Sequence, residues 1–159
     1  MTIDRDIQLS KPLANNGIRA FLLLMRASSE ITELPARITR QHGITPTQFN
    51  ILRILRGSPA GLPCSEISAR MVARDSDVTR LLDRLVRSGL VVRIASHQDR
   101  RVVQGQITPA GEQLCDRLNP VLEELHRKQF ERFGEQNTQQ LITLLEQLRT
   151  VIKEPDDAK

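Results

Sequence analysis

The chain has 159 residues, 39% hydrophobic and 26% charged, with a formal net charge of +4 and an isoelectric point of about 9.7; this is one compact domain with extensions, with enough apolar side chains to bury a core. Four Phe and no Tyr or Trp exclude a single-strand binder built on stacked aromatic platforms. The charged start Met1–Asp6 lacks an apolar signal core, no apolar run approaches the roughly 18 residues of a membrane span, and Cys64 and Cys115 form no CxxC pair, so the expected setting is cytoplasmic, with reduced thiols and no membrane contact.

Residues 1–11 read as an arm. From Pro12 to Gln41 the pattern is helical, with Ile18, Phe21, Leu22 and Met25 on one face. Pro35 lacks an N–H and is expected to kink or interrupt this segment, and Gly43 to end it. Thr45-Pro46-Thr47-Gln48 carries a cap, a proline for the first helical position and a glutamine to close a capping box. That helix runs through Phe49, Leu52 and Leu55 to Arg56, and Gly57-Ser58-Pro59-Ala60-Gly61 breaks it. A short helix follows, with Ser65 as its expected cap and Ile67 and Met71 facing inward.

The next helix spans Asp75 to Ser88. Val78, Leu81, Leu82 and Leu85 form its apolar stripe, Ser76, Arg80, Asp83, Arg84 and Arg87 its polar side, Asp75 or Ser76 its cap and Gly89 its stop. Leu90 to Ala95 alternates as a strand, Ser96–Arg100 is a turn, and Arg101–Ile107 returns, with Gly105 marking a bulge or weak pairing. Thr108-Pro109 repeats the cap-then-proline device and opens a helix carrying Leu114, Leu118, Val121, Leu122 and Leu125, which Pro120 is expected to kink. After Gly134 a last helix presents a heptad-like seam of Leu141, Leu144, Leu145, Leu148, Val151 and Ile152.

The fold class is mostly α with a small β-hairpin wing: a winged helix-turn-helix flanked by N- and C-terminal helices. Residues 1–42 are expected to form an arm and a dimerisation helix, 43–108 the winged module, and 109–159 the C-terminal dimerisation helices and tail. The outer helices exceed what so small a module needs, and a second copy is the simplest cover for their leucines. From Arg70 to Arg101 there are eight Arg, no Lys and four Asp, so the chain's whole positive excess lies in one fifth of its length. Arg suits bidentate contact with phosphate and guanine.

These segments resemble the MarR family of bacterial transcription regulators. Gly43 to Phe49, Val78 to Leu85 followed by Ser88-Gly89-Leu90-Val91, and Asp99-Arg100-Arg101 followed by Ile107-Thr108-Pro109-Ala110-Gly111 carry the resemblance. It implies a homodimer on a pseudo-palindromic double-stranded DNA operator, usually as a repressor, released by a small-molecule effector or an oxidant. The effector class is aromatic or lipophilic, in a pocket between dimer helices and winged module.

On this reading the DNA-binding residues are Ser76, Asp77, Thr79, Arg80, Arg84, Arg87, Arg100 and Arg101. Arg80, in the first turns, is the candidate for guanine, and Arg84 and Arg87 for phosphate or solvent. Arg101 is placed in the minor groove, Arg100 on the backbone, and Asp99 braces the turn. For Asp83 an intrahelical pair with Arg80 or Arg87 is expected. Thr47 and Gln48 either donate to phosphate or serve only as caps. The competing readings are a winged-helix module for an acidic protein partner and a redox-sensing regulator using Cys64 or Cys115. No Gly-rich phosphate loop, nucleophile elbow or zinc pattern is present, so an enzyme, a cofactor and a metal are not expected, and His42, His97 and His126 read as surface residues.

Overall fold

A computed structural model describes residues 15–72, 77–95 and 102–153. Described residues up to Asp116 form one compact unit and those from Arg117 a second. Helix α1 (Asn16–Gln41) starts on Asn15, whose side-chain oxygen accepts from the amides of Gly17 and Ile18. Pro35 does not interrupt it. A proline removes a single helical amide, one bond in a helix of 26 residues; in the next turn the buried Thr39 hydroxyl donates to the carbonyls of Pro35 and Ala36.

Helix α2 (Pro46–Arg56) carries the expected capping box: Thr45 Oγ1 accepts from the Gln48 amide at 3.2 Å, and Gln48 Oε1 accepts from the Thr45 amide at 2.9 Å. Gln48 is buried and spent on this cap. After the Gly57–Gly61 turn comes a two-residue strand, β1 (Leu62–Pro63), that the sequence reading did not contain. Helix α3 (Cys64–Arg70) follows directly. Its cap position is Pro63, with no side-chain bond, so Ser65 is not the cap.

Helix α4 (Val78–Arg87) leads into β2 (Val91–Ala95) and β3 (Val103–Ile107). The three strands form an antiparallel sheet in the order β1-β3-β2. Gly105 is not a bulge: it pairs in register with Leu62 on one side and Arg93 on the other. Its role is steric, because a Cβ there would lie 3.0 Å from the Leu82 side chain of α4. The inward-outward alternation expected across Leu90 to Ala95 is incomplete, since Val91 is buried while Val92 and Arg93 are both exposed.

Helix α5 (Pro109–Phe133) begins on Thr108, whose Oγ1 accepts from the Gly111 amide at 3.1 Å. Like Pro35, Pro120 lies inside an unbroken helix. Helix α6 (Glu135–Lys153) follows Gly134. The winged unit closes around Ile51, Leu52, Leu55, Ile67, Leu82 and Leu85, all fully buried. By contrast Ile18, Phe21 and Met25 of α1, and Leu144, Val151 and Ile152 of α6, are more than half exposed in the single chain. Among the described residues no helix is long and apolar enough to cross a membrane.

Cys115 has no exposed surface, and burial pushes its thiol above the usual range against the pull of Arg56 and Arg53. Cys64 is half-buried at the start of α3. The thiolate is the reactive form, so Cys115 should react with a maleimide on the order of a hundredfold more slowly than Cys64, through opening of the core. Equal rates in the native protein, read by mass spectrometry, would contradict this packing.

Gly111 sits where a Cβ would lie 2.4 Å from the Leu90 carbonyl oxygen, a backbone atom that cannot swing aside. Gly111→Ala gains about 1 kcal/mol of helix propensity but meets an overpacking cost near the upper end of about 1–3 kcal/mol. The expected net loss of about 2 kcal/mol lowers Tm by roughly 4–8 °C. Gly57→Ala, whose Cβ would come no nearer than 3.5 Å, should stay within about 0.5 kcal/mol. Thermal unfolding followed by circular dichroism compares the two.

Candidate nucleic-acid interface

Helix α4 has two faces of different chemistry. Val78, Leu82 and Leu85 are buried and Leu81 is half-buried, while Thr79, Arg80, Arg84 and Arg87 are exposed. The spacing dictates this: positions three and four apart share a face, so once the apolar stripe is buried the remaining positions must face outward. The described helix begins at Val78, with Asp77 rather than Asp75 or Ser76 in the cap position. Asp77 makes no side-chain cap bond; its Oδ2 lies 3.2 Å from Nη1 of Arg80, whose side chain is 80% exposed. Ser76, Asp99, Arg100 and Arg101 lie outside the described residues.

The C-terminal end of α4 is closed by its backbone. Gly89, at φ +72°, takes the left-handed conformation that costs glycine nothing. The Gly89 amide then donates to the Val86 carbonyl and the Leu90 amide to the Leu85 carbonyl, the paired bonds of a Schellman end. This reverses the chain and sends β2 back beside the helix that precedes it.

The return produces a contact the sequence reading missed. Asp83 pairs with neither Arg80 nor Arg87; its Oδ1 accepts from Arg93 Nη2 at 2.7 Å, across to β2. Arg87 Nε donates to the backbone carbonyl of Asp83 at 3.4 Å. Arg93 thus belongs to this site, although ten residues separate it from Asp83. Helix spacing could not reveal the pair, which exists only because the Schellman end folds β2 back. The ladder then runs along β2 and β3 from Val91 with Ile107 to Ala95 with Val103, the last pair among the described residues.

An exposed arginine row on a short helix, beside a two-stranded hairpin tied to it by an ion pair, presents donors in the rigid fork that matches phosphate and base edges. Among the described residues no three His, Cys, Asp or Glu side chains gather as a metal site.

The profile of the MarR family matches residues 44–103. The HTH-type transcriptional regulator YkoM of Bacillus subtilis is 30% identical over 131 residues, which are 81% of this chain and 83% of that protein. The homoprotocatechuate degradative operon repressor of Escherichia coli is 32% identical over 110 residues, 69% of this chain and 74% of that one. The crystal structure of a mutant MarR from E. coli complexed with operator DNA superposes with a TM-score of 0.76 at 24% identity, covering 87% of this chain and 99% of that one. With a capped α2, an arginine-faced α4 and a hairpin behind it, matched by relatives over most of their length, the chain belongs to the MarR family.

Proposed function

We propose that the chain is a sequence-specific double-stranded DNA-binding transcriptional regulator: a homodimer that represses from a pseudo-palindromic operator and is released by a small aromatic or lipophilic effector. The observation that carries this reading is the arginine face of α4 held beside the β2–β3 hairpin. Helices of about its length enter the major groove with their first turns toward base edges. Thr79 and Arg80 occupy those turns, with Arg80 assigned to guanine; Arg84 and Arg87, further along, suit phosphate. Arg101, two residues before the paired Val103, is assigned to the minor groove, Arg100 to the backbone and Asp99 to bracing the hairpin tip.

Three further observations support the finer parts. The apolar side chains left exposed on α1 and α6 suit cover by a second copy, with residues 1–42 and 109–159 as dimerisation segments around a 43–108 reading module. The E. coli mutant MarR was solved on operator DNA, and a second relative is named a repressor. That relative's operon is degradative for homoprotocatechuate, an aromatic acid, which supports the effector class.

The test starts with a duplex selected from a random-sequence library by the protein itself. A mobility shift should show two chains per duplex and a site of two inverted halves. It should reverse on adding members of a panel of phenolic and lipophilic acids. A selection that enriches no sequence would overturn the reading.

Arg80→Ala should cost about 1–3 kcal/mol on the selected duplex and relax the preference at one base position. Arg101→Ala should weaken binding at physiological salt with little change in Tm. A loss spread evenly over all sequences would make Arg80 a phosphate contact, and unchanged binding by Arg101→Ala would remove the hairpin tip from the interface. Fluorescence anisotropy against single-base variants of the duplex separates these outcomes.

A further inference from the structure

The end of α4 is fastened to the start of α5 through one side chain. Thr108 Oγ1 donates to the Gly89 carbonyl at 2.7 Å while accepting from the Gly111 amide at 3.1 Å, and the Thr108 amide donates to the Leu90 carbonyl at 3.1 Å. A hydroxyl can donate and accept at once, so one residue joins the two carbonyls that follow α4 to the amide that opens α5. The missing Cβ of Gly111 allows this approach, since it would lie 2.4 Å from the Leu90 oxygen. The 17 residues between Leu90 and Thr108 include both hairpin strands, β2 and β3. The fastening thus closes the loop that carries the hairpin and ties its base to the end of the arginine helix.

We infer that Thr108 is a positioning residue for operator recognition, fixing the angle of α4 on the first turn of α5. The inference rests on the DNA-binding reading above and adds to it the residue that orients the reading helix. Geometry gives it leverage. Ten residues of helix span about 15 Å, so a rotation of roughly 10° about the Gly89 end moves the Thr79–Arg80 turn by about 2.5 Å. A displacement of that size takes a base-edge hydrogen bond out of range. It also changes the separation of the two reading helices in a dimer, and hence the half-site spacing the protein accepts.

The hydroxyl is isolated by Thr108→Val, which keeps the β-branched shape and removes the donor, and by Thr108→Ser, which keeps the hydroxyl. Affinities are measured by fluorescence anisotropy on the duplex selected by the wild-type protein, on the same duplex with one base pair inserted between its halves, and on a scrambled duplex. Thr108→Val should lose about tenfold on the selected duplex, within the usual range of site-to-site coupling. It should be unchanged on the scrambled one and lose most of the preference against the insertion. Thr108→Ser should restore both wild-type values. If Thr108→Val does not fold, Thr108→Ala is measured in its place and read the same way. The inference is overturned if the hydroxyl-free variant keeps the wild-type affinity and spacing preference, if it weakens equally on all three duplexes, or if Thr108→Ser behaves like it. A wild-type protein that selects no duplex sinks both the DNA-binding reading and this inference; a normal selection with a silent hydroxyl-free variant sinks the inference alone.

Discussion

Leu82 meets β3 at the one position where that strand has no side chain. A Cβ on Gly105 would stand 3.0 Å from Leu82, tighter than nine in ten real contacts of that kind, so at this point Leu82 packs directly on the strand's bare backbone. β3 lies between β1 and β2, so Leu82 reaches the central strand of the sheet. From this seat the other contacts follow. Asp83, one residue along, comes within 2.7 Å of Arg93 on β2, and the Gly89–Leu90 end arrives against Thr108 and Gly111. A side chain at 105 would press on the Leu82 methyl groups, which would have to give by a few tenths of an ångström.

The forces that hold the fold and those that serve the exposed face are largely separate. Burial of Leu82 and Leu85 contributes on the order of 1.5–3 kcal/mol each, against a core that also includes Ile51, Leu52, Leu55 and Ile67. The exposed pair of Asp77 with Arg80 adds almost nothing on that scale, because solvent screens it and ordering two long side chains costs entropy. The pair holds the Arg80 guanidinium near the helix start. The Asp83–Arg93 pair is more sheltered, with Arg93 one-third exposed, and joins two elements rather than two turns of one. Arginines can therefore crowd the outer face of α4 without loss of the fold, since none of them is needed inside.

Periodicity and capping chemistry are local, and the sequence shows them plainly. The stripe Val78-Leu82-Leu85, the Thr45–Gln48 box, the Gly89 stop and the Thr108 cap all read correctly, because each depends on residues within four positions of one another. What the sequence hides depends on distant neighbours. β1 is two residues long and contains a proline, too short to show an alternation, and it exists because β3 offers it an edge. Gly105 looks like a defect in its own strand and is explained only by Leu82, twenty-three residues earlier. Asp83 has two arginines at helical spacing and takes a third that the chain reversal delivers. Pro35 and Pro120 carry the local signal of a break, yet the lost amide is one bond in a helix of 26 or 25 residues. The exposure of Arg80, Arg84 and Arg87 was legible from helical spacing; the lock of Asp83 to Arg93 was not.

The apolar residues on the terminal helices complete the division of labour. The buried apolar residues run from Ile44 to Leu122, and Phe21 and Met25 of α1 and Leu144 and Ile152 of α6 are not among them. These side chains are more than half exposed in the single chain, and water contact with them is unfavourable by about 25 cal/mol per Å². In the homodimer proposed above two copies pair through such faces, and this changes the arithmetic of recognition. One helix with a handful of arginine contacts gives affinity in the range of non-specific binding. Two such helices joined rigidly make the second contact intramolecular, which multiplies affinity by orders of magnitude when the spacing matches and by nothing when it does not. In that arrangement the selectivity of the pair depends as much on what fixes the angle of each α4, the seat of Leu82 on Gly105 and the fastening at Thr108, as on the arginines themselves.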